Sequence, residues 1–303
     1  MLRTPLRHSP WLSELTGSVV RLKLETLQPT FSYKIRGAFN AVLKLRDRDR
    51  DRALRPALVT ASAGNHGRAL AHAARLAGLP LTVYVSAHAP RVKLEAMRAE
   101  GADLRLCDDY DAAEQSAKAH GGAVFISPYA HHDVIAGAGT VGLEIVEDWP
   151  EVDTIVVAIG GGGLISGIAM AAPSAAIVGV EAAASSPFTA GLAAGRIVQI
   201  DVQPTLADGL AGNLDPDTPT FGIVRSRVGR VVRVSEDSLR TAIGGVVRNE
   251  RLVVEGAGAA GVAALLSGDV SDLGGRVAVV LSGGNIDSHV LAGILSERNG
   301  GPA

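Results

Sequence analysis

The chain has 303 residues, 47% of them hydrophobic and few of them aromatic, with 36 glycines; that suits one large or two ordinary α/β domains better than a β-sandwich. The net charge is −2, with both signs spread along the chain, which argues against a nucleic-acid footprint. Cys107 is the single cysteine, which excludes an internal disulfide and a cysteine-based metal cluster. With no signal-peptide layout over Met1–Pro10, the expected setting is a reducing cytoplasm.

In chain order, strands are predicted over Val19–Leu24, Ala57–Thr60, Leu81–Ser86, Ala123–Ser127, Thr154–Ile159, Ala176–Val180, Val231–Val234 and Val277–Leu281. Helical patterns fall between them, over Ile35–Leu45, Gly67–Ala77, Val92–Glu100, Asp133–Asp148, Ser235–Arg248 and Ala257–Leu266. Strands alternating with helices predict parallel sheets joined by right-handed crossovers. The alternating run Arg46-Asp47-Arg48-Asp49-Arg50-Asp51-Arg52 reads as a solvated connection and a domain boundary. A second boundary is placed near Pro128–Asp133. The division expected is residues 1–46 with 134–303 as a large cofactor-binding domain, and 53–133 as a small mobile one. Thr154–Val180 carries no charge and has the length of a membrane span. Four consecutive glycines and Pro173 break it into strand, loop, helix and strand, so no membrane association is expected.

Lysine is scarce: five residues (Lys23, Lys34, Lys44, Lys93, Lys118) among 29 basic ones. Lys34 follows a predicted strand and opens an apolar helical pattern, a junction where an amine can be desolvated. Desolvation favours the neutral amine, the form that attacks carbonyls; an ordinary solvated lysine is the alternative. Ile159-Gly160-Gly161-Gly162-Gly163-Leu164 joins a strand to a helix, so its backbone N–H groups can cradle a phosphate. The alternative is a tight turn packed against another backbone. Thr60-Ala61-Ser62-Ala63-Gly64-Asn65-His66-Gly67 has the same placement, and Asn65 offers both donors and acceptors; helix capping by Ser62 or Asn65 would explain it equally. Leu281-Ser282-Gly283-Gly284-Asn285 ends a third strand with a hydroxyl, where ligands collect in open parallel sheets. His131-His132-Asp133 reads as a polar loop rather than a metal cluster. A lysine, a phosphate cradle, an Asn loop and a hydroxyl loop together suit pyridoxal 5'-phosphate.

The motifs Arg3-Thr4-Pro5-Leu6, Lys23-Leu24-Glu25, Ser32-Tyr33-Lys34-Ile35-Arg36-Gly37-Ala38 and Ser62-Ala63-Gly64-Asn65-His66 occur in that order. Val134-Ile135-Ala136-Gly137, Gly160–Leu164, Gly179-Val180-Glu181, Ala207-Asp208-Gly209, Val254-Glu255 and Ser282-Gly283-Gly284-Asn285 follow. In this the chain resembles the fold-type II pyridoxal-phosphate enzymes, in the branch of threonine/serine dehydratases and serine racemases. The resemblance implies two parallel-sheet α/β domains, the smaller inserted in the larger. It implies that Lys34 carries the cofactor as a Schiff base and takes the substrate Cα proton. Gly161, Gly162, Gly163 and Leu164 would hold the phosphate, Asn65 the ring hydroxyl and Ser282 the pyridine nitrogen. The backbone of Ser62, Ala63, Gly64, Asn65 and His66 would receive the substrate carboxylate.

The reaction implied is loss of the β-hydroxyl and then of ammonia from L-threonine or L-serine, leaving a 2-oxo acid. β-Replacement, racemisation, an unusual hydroxy amino acid and a non-catalytic binding protein are the competing readings. Ala63 stands where racemases carry a second serine, the proton carrier on the opposite cofactor face, which favours dehydration. Pro187 stands where the family's divalent-metal site uses a carboxylate, so no metal is expected with Glu181. Phe31 stands where most relatives have glycine; it is expected either to strain a positive-φ backbone or to fill part of the substrate pocket. The chain opens almost at the Arg3–Leu6 motif and ends soon after Ser282, so the expectation is that no regulatory domain is present. Relatives lead to the expectation of a homo-oligomer.

Overall fold

The computed structural model describes residues 1–48, 56–89 and 91–297. The predicted boundary at the charge run is only partly covered: Arg46–Arg48 form the exposed end of a helix, and 49–52, like the expected domain start at 53, lie outside the described residues. Among the described residues ten strands form two sheets. They are β1 (Leu6–His8), β2 (Val19–Leu24), β3 (Ala57–Ala61), β4 (Leu81–Ser86), β5 (Asp103–Cys107), β6 (Ala123–Phe125), β7 (Thr154–Ala158), β8 (Ala176–Ala182), β9 (Arg230–Val234) and β10 (Arg276–Leu281).

The first sheet runs β1-β2-β10-β7-β8-β9 and the second β5-β4-β3-β6. Every pairing is parallel except β1 against β2. The exception corrects the all-parallel expectation: a three-residue edge strand returns through the short helix Pro10–Thr16, which permits reversal. β7 is buried along its whole length, as expected where helices cover both faces of a parallel sheet, and its unbroken run Thr154-Ile155-Val156-Val157-Ala158 reflects that.

The predicted strands all form, with ends shifted by two residues at most. β1 and β5 were not predicted. The uncharged stretch folds as β7, the helix Gly163–Ala171 and β8, and no helix among the described residues is long and apolar enough to cross a membrane. Of the predicted polar loop, His131 ends the turn and caps the helix His132–Asp148, its Nδ1 accepting from the Asp133 N–H, while His132 and Asp133 lie in that helix. The predicted helix from Ser235 ends at Gly245 and continues as a π-helical turn, Val246–Glu250.

The register decides where the loops meet. β10 lies between β2 and β7, with Leu24 opposite Leu281 and Val156 opposite Val279. The segments leaving the carboxyl ends of β2, β10 and β7 therefore emerge side by side, and β3 of the second sheet delivers its own loop across the gap.

Candidate functional site

Lys34 opens the helix Lys34–Arg48, which is anchored by charge. Arg36 is fully buried and donates through Nε and Nη2 to both carboxylate oxygens of Glu25, each at 2.7 Å. Arg36 and Lys23 both bond Glu144 of the helix His132–Asp148. Burial acts to lower the Arg36 pKa, but Glu25 and Glu144 outweigh it and hold it above the usual arginine range. The motif residues Lys23, Glu25 and Arg36 thus fix the backbone that presents Lys34.

The Lys34 side chain is half-buried rather than fully desolvated, and its amine donates to the Pro128 carbonyl at 2.7 Å. Lys23, Lys93 and Lys118 instead pair with carboxylates, those of Glu144, Asp208 and Asp215. Next to Pro128, Tyr129 packs on the glycine loop so closely that a Cβ on Gly161 would collide with its ring. Gly162 adopts φ +84°, and a Cβ there would sit 2.6 Å from Phe188 Cζ. Glycine is required at both positions. Gly163 begins the helix Gly163–Ala171 with no side-chain cap, so its first-turn N–H groups, with that of Leu164, lack intrahelical acceptors. The Leu164 side chain itself is buried in the core.

The lysine segment is also stitched to the Ser282 loop. Tyr33 N–H donates to the Ser282 carbonyl (2.9 Å) and Gly284 N–H to the Phe31 carbonyl (2.9 Å). Ser282 is buried, and its hydroxyl lies 3.5 Å from the Ala257 carbonyl, too long for a well-formed hydrogen bond.

In the second sheet, Gly64 rather than Ser62 or Asn65 caps the helix Asn65–Ala77. Ser62 Oγ accepts from the Gly64 N–H, and Ala63 packs at the edge of that sheet's core. His66 is buried; its Nε2 contacts the Ile126 carbonyl at 3.2 Å, and burial first, then the Lys34 charge, hold its pKa down to about 3. It is a neutral support beneath the loop.

Asn65 is held at both ends of its amide. Nδ2 donates to Glu255 Oε1 (2.6 Å) and Oδ1 accepts from Asn285 Nδ2 (2.6 Å). Glu255 is buried at the start of the helix Gly256–Leu266. Burial, then the nearby Asp208 charge, push its pKa up to about 7. Arg68 donates to Asn285 Oδ1 at 2.8 Å.

Phe31 has the positive-φ backbone that was one of the two expectations set for it. Its φ is +57°, a region costing a non-glycine residue roughly 1–2 kcal/mol. Its ring lines a cavity of about 480 Å³ together with Gly64, Asn65, Arg68, Glu255 and Asn285. Lys34, Ser282 and the glycine loop are not in that wall, so the cavity adjoins the loop cluster without containing it. A larger, open depression of about 830 Å³ lies at Arg196, Phe221 and Arg225, away from every candidate residue.

Glu181 has a role in the fold. Its carboxylate accepts from the Phe188 and Thr189 N–H groups and the Thr189 hydroxyl, capping the helix Pro187–Ala194. Burial pushes its pKa up despite these bonds.

Direct contacts thus link Lys34 through Pro128 and Tyr129 to the glycine loop, through Tyr33 to Ser282, and through the Ser282 loop to Asn65. Glu255, Asn285, Arg68 and Tyr129 belong to the cluster and were not among the residues predicted. Glu255 had a signal: a lone carboxylate opening a small-residue helical run. The cluster fits pyridoxal phosphate. It offers an amine without a carboxylate partner in its recorded contacts, a cradle that a Cβ would fill, and the Ser32 hydroxyl, buried with no hydrogen-bond partner among the described residues.

Comparison with known proteins agrees. The profile of the family described as pyridoxal-phosphate dependent enzyme matches residues 1–283. An L-threonine ammonia-lyase of Thermotoga maritima is 41% identical over 97% of this chain and 74% of its own length. An L-threo-3-hydroxyaspartate ammonia-lyase of Saccharomyces cerevisiae is 34% identical over 99% of this chain and 93% of its own. Among solved structures, maize serine racemase superposes with a TM-score of 0.88 at 34% identity, covering 96% of this chain and 91% of that one. The chain belongs to the pyridoxal-phosphate-dependent enzymes of fold type II.

Proposed function

We propose that this enzyme is an ammonia-lyase that converts a β-hydroxy-α-amino acid, L-threonine or L-serine, to a 2-oxo acid and ammonia. The observation that carries the reading is that the Lys34 amine, bonded to the Pro128 carbonyl, sits in a segment tied through Tyr129 to the glycine loop and through the Tyr33 N–H to Ser282. Pyridoxal phosphate, when bound, supplies an electron sink for negative charge at the substrate Cα. Lys34 holds the cofactor and, once displaced, is the base for the Cα proton. The N–H groups of Gly161, Gly162, Gly163 and Leu164 receive the phosphate at a helix N-terminus. Asn65, its amide fixed by Glu255 and Asn285, retains a second Nδ2 proton for the ring oxygen. Ser282 would offer a hydroxyl, not a carboxylate, to the ring nitrogen, and the backbone from Ser62 to His66 would receive the substrate carboxylate.

Ala63 favours elimination over racemisation, because a methyl group moves no proton. The names of the relatives at 41% and 43% identity, both L-threonine ammonia-lyases, support the same choice. Residues 53–133 are the unit that closes over substrate, in a cytoplasmic homo-oligomer.

The test is 2-oxo acid release from L-threonine, L-serine and threo-3-hydroxyaspartate. Turnover of threonine or serine is expected. Turnover of hydroxyaspartate alone would move the substrate class, and D-serine formed from L-serine without oxo acid would replace the reading with racemisation.

A further inference from the structure

Phe31 is held in place by its backbone. Its N–H donates to the Gln28 carbonyl at 2.7 Å and its carbonyl accepts from the Gly284 N–H at 2.9 Å. With both groups engaged, φ cannot leave +57° without breaking a bond that also aligns the Lys34 segment with the Ser282 loop. The strained backbone therefore aims a ring that is half exposed. What that ring touches is the guanidinium of Arg68, whose Cζ lies 5.1 Å from the ring centroid. This distance is within cation–π range.

Arg68 settles a chain of amide orientations. A guanidinium only donates, so its bond to Asn285 must end on the amide oxygen. Asn285 Nδ2 is thereby turned to the Asn65 oxygen at 2.6 Å and to the Thr30 carbonyl at 3.0 Å. Asn65 then presents Nδ2 to Glu255. A flip of Asn285 would oppose donor to donor or acceptor to acceptor at every one of its links, and a flip of Asn65 would oppose its Nδ2 to that of Asn285. Thr30, which accepts one of these bonds, is the residue before Phe31, so the ring and the backbone of one segment grip both ends of the Arg68–Asn285 pair.

We infer that Phe31 is a positioning residue: by anchoring Arg68 it fixes the Asn285 and Asn65 amides, so that Asn65 meets the cofactor with a donor already oriented. The inference rests on the proposed role of Asn65 at the cofactor. It also gives a reason for the backbone strain, since glycine would relieve the strain but could not hold Arg68.

The test titrates the cofactor-stripped full-length chain with pyridoxal phosphate, followed by visible absorbance, and records the melting temperature of each variant alongside. Phe31→Gly is expected to weaken cofactor affinity about two- to fivefold, the worth of one exposed cation–π contact, while its melting temperature stays level or rises. Phe31→Leu, which keeps the strain and loses the π face, is expected to lose the same affinity and melt lower than Phe31→Gly. Arg68→Met, which also removes the bond to Asn285, is expected to lose at least as much affinity as Phe31→Gly. The double variant Phe31→Gly/Arg68→Met should be no weaker than Arg68→Met alone, because Phe31 acts through Arg68 and has nothing left to hold once it is gone. Unchanged affinity in Phe31→Gly, or multiplied losses in the double variant, would overturn the inference. No cofactor binding by the unmutated chain would instead remove the functional reading on which the inference rests.

Discussion

Replacing Glu255 by Gln tests the electrostatics of the site without touching the lysine. Glu255 is buried, with a pKa pushed from 4.5 up to about 7 by burial first and by Asp208 next, and Lys93 and the Asn65 bond acting against them. A folded-state pKa above the unfolded one means that the folded chain binds the proton more tightly. This contribution to stability is fully present below pH 4.5 and is lost as pH rises through 7. At 1.36 kcal/mol per pH unit the loss amounts to about 3 kcal/mol. His66 acts oppositely: with its pKa held down to about 3, it contributes stability above pH 6.5 that is lost as pH falls toward 3. In the unmutated chain the two slopes largely cancel between pH 4.5 and 6.5. Subtracting variant from parent removes His66 and every other titrating group.

The assay is urea unfolding of the cofactor-free parent and Glu255→Gln from pH 5 to pH 8. Gln imitates the protonated acid, so the variant is expected to gain about 2–3 kcal/mol on the parent across that range, nearly all of it by pH 7. A difference that stays constant with pH would refute both the burial argument and the assignment of Glu255 to the Asn65 network.

Arg36→Met should cost about 3–5 kcal/mol by leaving Glu25 buried without its cation, and adding Glu25→Gln should recover part of the loss; both are read by denaturant midpoint. Gly161→Ala, whose Cβ displaces the Tyr129 ring, should lower cofactor affinity by about tenfold or more with little change in far-UV dichroism. Lys93→Met and Lys118→Met cut the ion pairs to Asp208 and Asp215 that join the helices of the second sheet to loops of the first. Each should cost less than about 1 kcal/mol yet speed amide exchange in its own helix, Arg91–Ala99 for Lys93 and Tyr110–Lys118 for Lys118, and high salt should do the same to the parent.

The strands that carry the loops were legible because buried parallel strands show as short apolar runs, Thr154–Ala158 most plainly. β1 and β5 were not. Leu6-Arg7-His8 and Asp103-Leu104-Arg105-Leu106-Cys107 lie at sheet edges, where charged side chains are tolerated and the apolar signal fades. Lys34, Asn65, the glycine loop and Ser282 stood out because each follows a strand and sits among small or apolar neighbours. Arg68 gave no such sign, since its part depends on a contact 217 positions away in the chain; Asn285 stood in the flagged Ser282 loop, but its bond to Asn65, 220 positions away, was not legible. At Phe31 the sequence posed strain and substrate-pocket filling as alternatives; the fold has the strain, and its ring lines a cavity whose wall holds none of Lys34, Ser282 or the glycine loop.

The central claim is that Lys34 carries the cofactor. Borohydride reduction of the holoenzyme followed by peptide mapping addresses it directly. The account predicts the cofactor mass on the peptide containing Lys34 and no visible absorbance in Lys34→Ala. Cofactor mass on Lys23, Lys44, Lys93 or Lys118, or full turnover by Lys34→Ala, would contradict it.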